Sequence, residues 1–511
     1  MLGVSGNQQI HTPNLDRLAA SGMRFDRAFC NSPVCTPSRL SFMTGRYPRT
    51  IGVTQLETPL SHRERTLADL LKDAGYATAA IGKMPFGNGR HGFELRFDLD
   101  DGETIAKKMT PRPPPPNLKV LPDWRPFQDP AAVWLNASYL PYGAYEADMD
   151  GTSFANEAVR FLREDRNRPF FLFIGFHEPH APFTFPIEDL NRHDPNSFTV
   201  PETGPEDANQ IPKIFRGLTR AEKQGIIASY TTSVEYLDRN VGRVLKALEE
   251  SGKLDNTLVI YTSDQGYLLG QHGRFEKHCS YDEAVRVPLF FRLPGKVRAG
   301  SQTSALIEMV DIVPTVLHLC RVAVPANVQG RSFVKVLTGE KDRHRSRVFV
   351  EYAPNDEVMV RDEHWKLIFE RGKQRRRDGY DTGQPLAERT IRLFDLDHDP
   401  AETHNVADRP ENAGRVADLL KILAKHLKAT AADPGLVPQS NDPLDILDYC
   451  VQSRDAGLFE SRVAGIFRRH KLGLALTGLG FIAVVAFAVT KIPRLKAMAA
   501  MGRNDASNGD F

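Results

Sequence analysis

Apolar positions along residues 1–341 recur with helical spacing and then with strand spacing, in repeated alternation. From residue 230 to 248, Tyr230, Val234, Leu237, Val241, Val244, Leu245 and Leu248 follow the 3.6-residue period, and Gly252 closes that helix. Residues 14–22 and 66–74 predict two more helices, the second capped by Thr66 and followed by Gly75. Residues 76–81, 170–176 and 257–262 are short apolar runs of strand length, and the last two carry the pattern of strands buried on both faces. Strands alternating with helices predict an α/β fold: a mainly parallel sheet sandwiched by helices, with its site at the carboxyl ends of the strands.

Two stretches depart from this rhythm. The Pro-rich and aromatic region 111–142 cannot form regular elements and predicts a long surface excursion, either a wall of a pocket or a spacer. After about residue 341, short strand-like runs at 348–352, 366–369 and 391–396 precede an amphipathic helix at 413–427. These predict a smaller antiparallel α+β subdomain over 342–432, followed by a linker over 433–471. Residues 472–490 are uncharged and mostly apolar, with basic residues on both sides and a basic, polar tail at 491–511. That length predicts a transmembrane helix in preference to a buried core helix. The N-terminal residues have neither a basic nor an apolar leader pattern, so no signal peptide is visible in them.

Charge and cysteine content narrow the function classes. Lys and Arg number 66 against 64 Asp and Glu, so nothing global points to nucleic acid as a partner. Five cysteines, odd in number and irregularly spaced, argue against a disulfide framework and against a four-ligand zinc site. The run Arg375-Arg376-Arg377 reads as a solvated loop, with a sulfated-glycan contact as the minor alternative.

The most specific chemical signal is Cys35-Thr36-Pro37-Ser38-Arg39, continuing to Met43-Thr44-Gly45-Arg46. Thr36 as cap, Pro37 as first helical residue and Gly45 as terminator would place Cys35 just ahead of a helix N-terminus, where anions are favoured. A cysteine there is open to two readings: a buried small hydrophobe, or a thiolate nucleophile of lowered pKa.

These residues resemble the signature of the sulfatase family, a Cys, any residue, Pro, Ser and Arg, with a Thr-Gly-Arg end to the helix. Further resemblance runs over most of residues 11–405: His11-Thr12-Pro13-Asn14-Leu15-Asp16, Gly22-Met23-Arg24-Phe25, Ile81-Gly82-Lys83, Pro179-His180-Ala181-Pro182-Phe183, Ser263-Asp264-Gln265-Gly266, Lys277, and Leu393-Phe394-Asp395-Leu396. The wording around His180 and Lys277 leans toward iduronate-sulfatase and choline-sulfatase members. The resemblance implies that Cys35 is oxidised by a formylglycine-generating enzyme to formylglycine, which attacks sulfur in a sulfated small molecule or glycan. It implies one Ca²⁺ held by Asp264, Gln265 and the modified Cys35, a hard cation suited to such oxygens. Arg39, Lys83 and Lys277 would neutralise the sulfate, and His180 would act as acid or hydrogen-bond partner for the leaving oxygen. His177 would be structural.

Two departures stand out. The family begins with a buried strand ending in paired metal-binding aspartates, whereas no acidic residue here precedes Asp16. A true start upstream of Met1 would restore that strand and a signal peptide; a degenerate sulfatase and a member with altered metal binding are the alternatives. After Lys83-Met84, where the family usually has a His, this chain has Pro85, and His91 is only near in sequence. The expected function is a membrane-anchored sulfuric ester hydrolase acting outside the cytoplasm. The alternatives are a phosphodiester or phosphonate monoester hydrolase and an inactive sulfatase-like binding protein. In a eukaryotic secretory context, Asn136-Ala137-Ser138 would be a glycosylation acceptor.

Overall fold

The computed structural model describes residues 2–56, 58–84, 89–97, 145–204, 207–372, 380–384, 388–453 and 455, all within one compact unit, Met1–Ala456. The excursion at 111–142, Pro85, Arg375 to Arg377 and the expected span at 472–490 lie outside the described residues. No helix among the described residues is long and apolar enough to cross a membrane.

The chain opens with α1 (Pro13–Ala20), β1 (Met23–Phe29), α2 (Cys35–Thr44), α3 (Leu67–Asp73), β2 (Ala77–Gly82) and β3 (Leu95–Phe97). Then come α4 (Asp150–Arg163), β4 (Phe170–Gly175), α5 (Arg220–Glu250), β5 (Val259–Thr262), β6 (Arg286–Arg292), β7 (Ser301–Thr303), β8 (Ile307–Glu308) and α6 (Ile312–Leu319). Among the described residues the expected mainly parallel sheet falls into two ladders. One is a parallel sheet in the order β3-β2-β4; the other runs β5-β6-β1-β7, with β8 also on β1, and mixes directions because β6 is antiparallel to both β5 and β1.

Helices cover both faces, as the alternating pattern requires. On one side, Phe154 and Ala158 of α4 pack on Ile81, while Val234, Leu237 and Val241 of α5 join Leu15 and Phe290. On the other, Leu40 and Met43 of α2, Leu67 and Leu71 of α3 and Val313 of α6 close over Phe25 and Phe291. Helix α5 starts with a capping box between Thr219 and Glu222, ten residues before the periodic stretch visible in sequence.

Two strands differ from their expected environment. Residues 170–174 of β4 and all of β5 are only half-buried, although nearly all are large and apolar. Among the described residues each is an edge strand: β4 pairs only with β2, and β5 only with β6.

Beyond α6, β9 (Val348–Tyr352), β10 (Glu357–Arg361), β11 (Trp365–Glu370) and β12 (Thr390–Asp395) form an antiparallel sheet in the order β12-β11-β10-β9. Helix α7 (Ala413–Ala429) covers one face with Leu419, Leu423 and Leu427 against Val360, Leu367 and Leu393. The other face, through Val350, Met359 and Ile368, shares the core beneath α2. A further helix, α8 (Pro443–Cys450), occupies part of the stretch expected as linker and adds Leu447 to the α7 side. Strand β10 was missed in sequence although Pro354, Asn355 and Asp356, the last at φ 45°, carry turn chemistry between it and β9.

Candidate active site

Cys35 is the first residue of α2 rather than the residue before it. Val34 occupies the cap position, no side chain caps the helix, and Thr36 lies inside the first turn. Gly45 ends the helix in the left-handed conformation at φ 67°, as expected. The nearly buried Cys35 therefore sits at the positive end of the helix, where first-turn N–H groups have no intrahelical partner.

Side chains from the ends of two strands, from one loop and from α2 itself converge on it. Lys277 Nζ is 3.1 Å from Cys35 Sγ, and Lys83 Nζ, just past β2, is 3.7 Å away. Gln265 Nε2, beyond β5, is also 3.7 Å from the sulfur. Arg39, one turn further along α2, donates from Nε to Asp264 Oδ2 at 2.7 Å and from Nη1 to the Lys83 carbonyl at 2.6 Å. The Ser38 hydroxyl donates to the Asp264 carbonyl. Strand ends, loop and helix are thus cross-linked by one residue of the motif, which explains why Arg39 sits one turn after Cys35.

Charge decides the protonation states. Burial pushes the Cys35 thiol up, but Lys277, with Lys83 and Arg39, outweighs burial and the opposing Asp264, leaving its pKa below the ordinary value. Burial also opposes ionisation of Asp264, yet Arg39, Lys277 and Lys83 hold it well below the usual carboxylate range. Burial lowers Lys83, which Cys35 only partly offsets.

The two histidines follow β4. Lys277 and then burial drive His180 well below its ordinary pKa, and burial followed by its neighbour His180 does the same to His177. Their rings lie 4.9 Å apart between centroids. His180 Nδ1 is 2.6 Å from the Ala181 carbonyl, which can only accept, so Nδ1 carries the proton and neutral His180 presents an unprotonated Nε2. Between them Glu178 is buried, and that burial raises its carboxyl to about 7. Sequence reasoning missed Glu178; a carboxyl between two histidines and a proline was the available signal.

The His91 carbonyl accepts from Thr66 Oγ1 at 2.7 Å and its ring stacks on that of His62, with 6.0 Å between centroids. Gly175 was also missed. A Cβ there would lie 2.5 Å from the Lys83 carbonyl and 3.0 Å from Arg39 Nη1, so the end of β4 must be bare for Arg39 to pass.

For a cation, the donors present fit in chemistry. Gln265 Oε1 is buried without a hydrogen-bond partner, and the ionised Asp264 carboxylate adjoins it in sequence. A buried amide oxygen left unpaired costs on the order of 1–3 kcal/mol, so it marks a place for a ligand. No cluster of three or more His, Cys, Asp or Glu side chains suited to a metal occurs among the described residues.

Comparison with known proteins decides the family. The sulfatase family model matches residues 1–322, more than half of the 511-residue chain. The chain belongs to the sulfatase family. A second model, described as N-sulphoglucosamine sulphohydrolase, C-terminal, matches residues 270–430 of this sulfatase. An arylsulfatase of Clostridium perfringens is 29% identical over 84% of this chain and 91% of its own length. An N-acetylglucosamine-6-O-sulfatase of Bacteroides thetaiotaomicron is 26% identical over 89% and 87%. Among solved structures, a phosphonate monoester hydrolase from Silicibacter pomeroyi shares the fold at TM-score 0.67, with 22% identity, covering 84% of this chain and 92% of that one. The α/β core with its C-terminal subdomain is therefore the fold of this family, and the sulfatase is a hydrolase of sulfate esters.

Proposed function

We propose that this sulfatase removes sulfate from a sulfated carbohydrate, in particular an amino sugar, through a formylglycine made from Cys35. The cations around one sulfur carry the reading: Lys277 at 3.1 Å and Lys83 at 3.7 Å form, with Arg39, a positive cradle at a helix N-terminus. The match to an N-sulphoglucosamine sulphohydrolase C-terminal model and the likeness to an N-acetylglucosamine-6-O-sulfatase support the amino sugar.

In this reading Cys35 Sγ stands in for the two hydroxyls of the hydrated aldehyde. One hydroxyl attacks sulfur, the S–O bond to the sugar breaks, and the sugar oxygen leaves with a proton. The second hydroxyl then loses its proton, the aldehyde re-forms and sulfate departs; water rehydrates the aldehyde. Lys277 and Lys83 hold the sulfate oxygens. His180 is neutral with a free Nε2 before substrate binds, so it first accepts a proton; the bound sulfate offsets the lysines that keep it neutral, and His180 then returns a proton to the leaving oxygen. Asp264 and Gln265 Oε1 would help hold Ca²⁺, which supplies positive charge at the nucleophile. A transmembrane anchor at 472–490 and a catalytic unit outside the cytoplasm complete the proposal, supported by that segment's length and lack of charge.

Co-expression with a formylglycine-generating enzyme, followed by mass spectrometry of the peptide holding Cys35, tests the nucleophile. The expected result is conversion to formylglycine with turnover of aryl and amino-sugar sulfates well above that of aryl phosphonates. An unmodified thiol, or faster phosphonate turnover, would overturn it.

A further inference from the structure

Lys277 ends one arm of a hairpin whose other arm starts at Gln265. The Leu268 N–H donates to the Glu276 carbonyl at 2.8 Å and the Gly270 N–H to the Arg274 carbonyl at 2.9 Å. The arms therefore pair at alternate residues and run out to a tip at Gln271, His272 and Gly273. At the base both arms reach the nucleophile, with Gln265 Nε2 3.7 Å and Lys277 Nζ 3.1 Å from Cys35 Sγ. A paired hairpin moves as one piece, so what holds the tip also bears on the base.

The tip is held in a costly conformation. His272 stands at φ 52°, between Gly270 at φ 104° and Gly273 at φ 66°. It is buried, and its Nε2 has no hydrogen-bond partner among the described residues. A left-handed non-glycine residue and an unpaired buried nitrogen each oppose folding, so the surroundings must hold them. A short turn between β4 and α5, Asp207–Asn209, does so. His272 Nδ1 lies 2.9 Å from Asp207 Oδ1, and both side chains are almost wholly buried. Ile211, just past the turn, closes the space beside the tip: a Cβ on Gly273 would lie 2.5 Å from its Cδ1.

The same turn also grips the chain on the far side of Lys277. The Tyr281 hydroxyl donates to Gln210 Oε1 at 2.8 Å, and the Gln210 N–H donates to the Asp207 carbonyl at 2.8 Å, so the two grips are one piece. The Tyr281 ring lies flat on the His272 ring, with 3.6 Å between centroids and 14° between planes. His272 precedes Lys277 by five residues and Tyr281 follows it by four, so their stack closes the segment that carries the lysine into a loop. The Gln265 arm has an anchor of its own at the base, where the Gly266 N–H donates to the Ala284 carbonyl at 2.8 Å. Loosening the clip therefore bears first on Lys277.

We infer that Asp207 is a positioning residue for the sulfatase reaction: through His272 and the stacked Tyr281 it sets the place of Lys277 beside Cys35. The inference rests on the reading that Lys277 holds the sulfate, and adds what holds Lys277.

The whole chain, converted to formylglycine, tests it as the parent, Asp207→Ala, Lys277→Met and the double variant, with an aryl sulfate as probe. Asp207→Ala should lower kcat/KM at least about tenfold where Lys277 is present and less than about twofold beside Lys277→Met, since a residue acting through Lys277 then has nothing left to place. Asp207→Asn keeps an oxygen for His272 Nδ1 and should restore most of the loss. Equal losses in both backgrounds would overturn the inference, because they mark a general structural role. Hydrogen exchange in the unconverted protein gives a readout without turnover: Asp207→Ala should speed exchange over residues 267–281 at least about tenfold and leave α4 unchanged. Unchanged exchange over 267–281 would also overturn it. Full turnover by the Lys277→Met protein would sink the reading of Lys277 itself, an outcome distinct from equal losses, which sink the clip alone.

Discussion

Arg39 Nε and Asp264 Oδ2 stand 2.7 Å apart with both side chains about nine-tenths buried, one on a helix and the other past the end of a strand 225 positions along the chain. A buried pair of this kind is costly to break, because the surviving partner keeps its charge without compensation.

Replacing Arg39 with Ala should therefore lower unfolding stability by about 3–5 kcal/mol and turnover by at least about a hundredfold. Asp264 ionises at unusually low pH in the folded state, so its contribution is present above its ordinary pKa and is lost as pH falls through the lowered folded value. In the Arg39→Ala protein the folded value moves up toward the ordinary one, so that acid loss should be smaller and should end at higher pH. Urea titrations from pH 3 to pH 7 read both effects. Arg39→Lys should recover little, since one ammonium cannot reach the carboxylate and the Lys83 carbonyl in the same fork.

Lys277 is the strongest influence holding the Cys35 thiol down against burial. In the unconverted protein, Lys277→Met should raise the pH midpoint of Cys35 alkylation, with slower alkylation at neutral pH. An unchanged midpoint would show that Lys83 and Arg39 alone set the thiol.

Glu178 reverses the usual sign. Its folded pKa of about 7 stands above the ordinary 4.5, so the folded state holds a proton that the unfolded chain has already lost. Stability from this group is full below about 4.5, falls as pH rises toward about 7, and is flat beyond. Glu178→Gln should abolish that slope. At pH 8 it should gain up to about 3 kcal/mol over the parent, the about 2.5-unit difference at 1.36 kcal/mol per unit. Thermal melts at pH 5 and pH 8 separate this from a uniform change.

Gln265 separates a metal ligand from a structural amide. Its Oε1 is buried without a partner and its Nε2 only approaches Cys35 Sγ at 3.7 Å, so Gln265→Leu should leave the metal-free melt within about 1 kcal/mol of the parent, or above it. Addition of Ca²⁺ should raise the parent's Tm and not that of the variant. Equal calcium responses would remove Gln265 from the ligand set.

Much of this site could be read from the sequence because its chemistry is local. Cys35 to Arg39 and Ser263 to Gln265 are contiguous runs whose residue types state their roles, and the structure brings Cys35, Arg39, Lys83, Asp264, Gln265 and Lys277 together. The start of α2 was displaced by two residues because Thr36 has the chemistry of a cap but Val34 takes the position. What the pattern could not supply was pairing. The apolar runs at 170–176 and 257–262 looked like central strands from composition alone, whereas among the described residues the ladder makes both of them edges. Glu178 escaped because its meaning is its burial, which depends on α4 and α5 packing around it; Gly151 of α4 approaches its carboxyl so closely that a Cβ would lie 2.9 Å from it.

Gly82 links the sheet to the chemistry. It closes β2 at φ 87°, opposite Gly175 in the parallel register, and the next residue, Lys83, donates its backbone N–H to the Gly175 carbonyl at 2.6 Å. A Cβ on Gly82 would lie 2.3 Å from that carbonyl oxygen, which is backbone and cannot rotate away. Gly82→Ala must therefore part β2 from β4 at the point where Lys83 turns toward Cys35, and the positive φ adds strain of about 1 kcal/mol or more. Turnover should fall together with a stability loss of at least about 2 kcal/mol. Lys83→Ala removes the ammonium but leaves the backbone path intact, so it should lose turnover with little change in Tm. If Gly82→Ala instead keeps its Tm while losing activity, the close approach of the two strand ends is not what holds Lys83 in place, and the lysine must be positioned by Arg39 through the carbonyl of Lys83 alone.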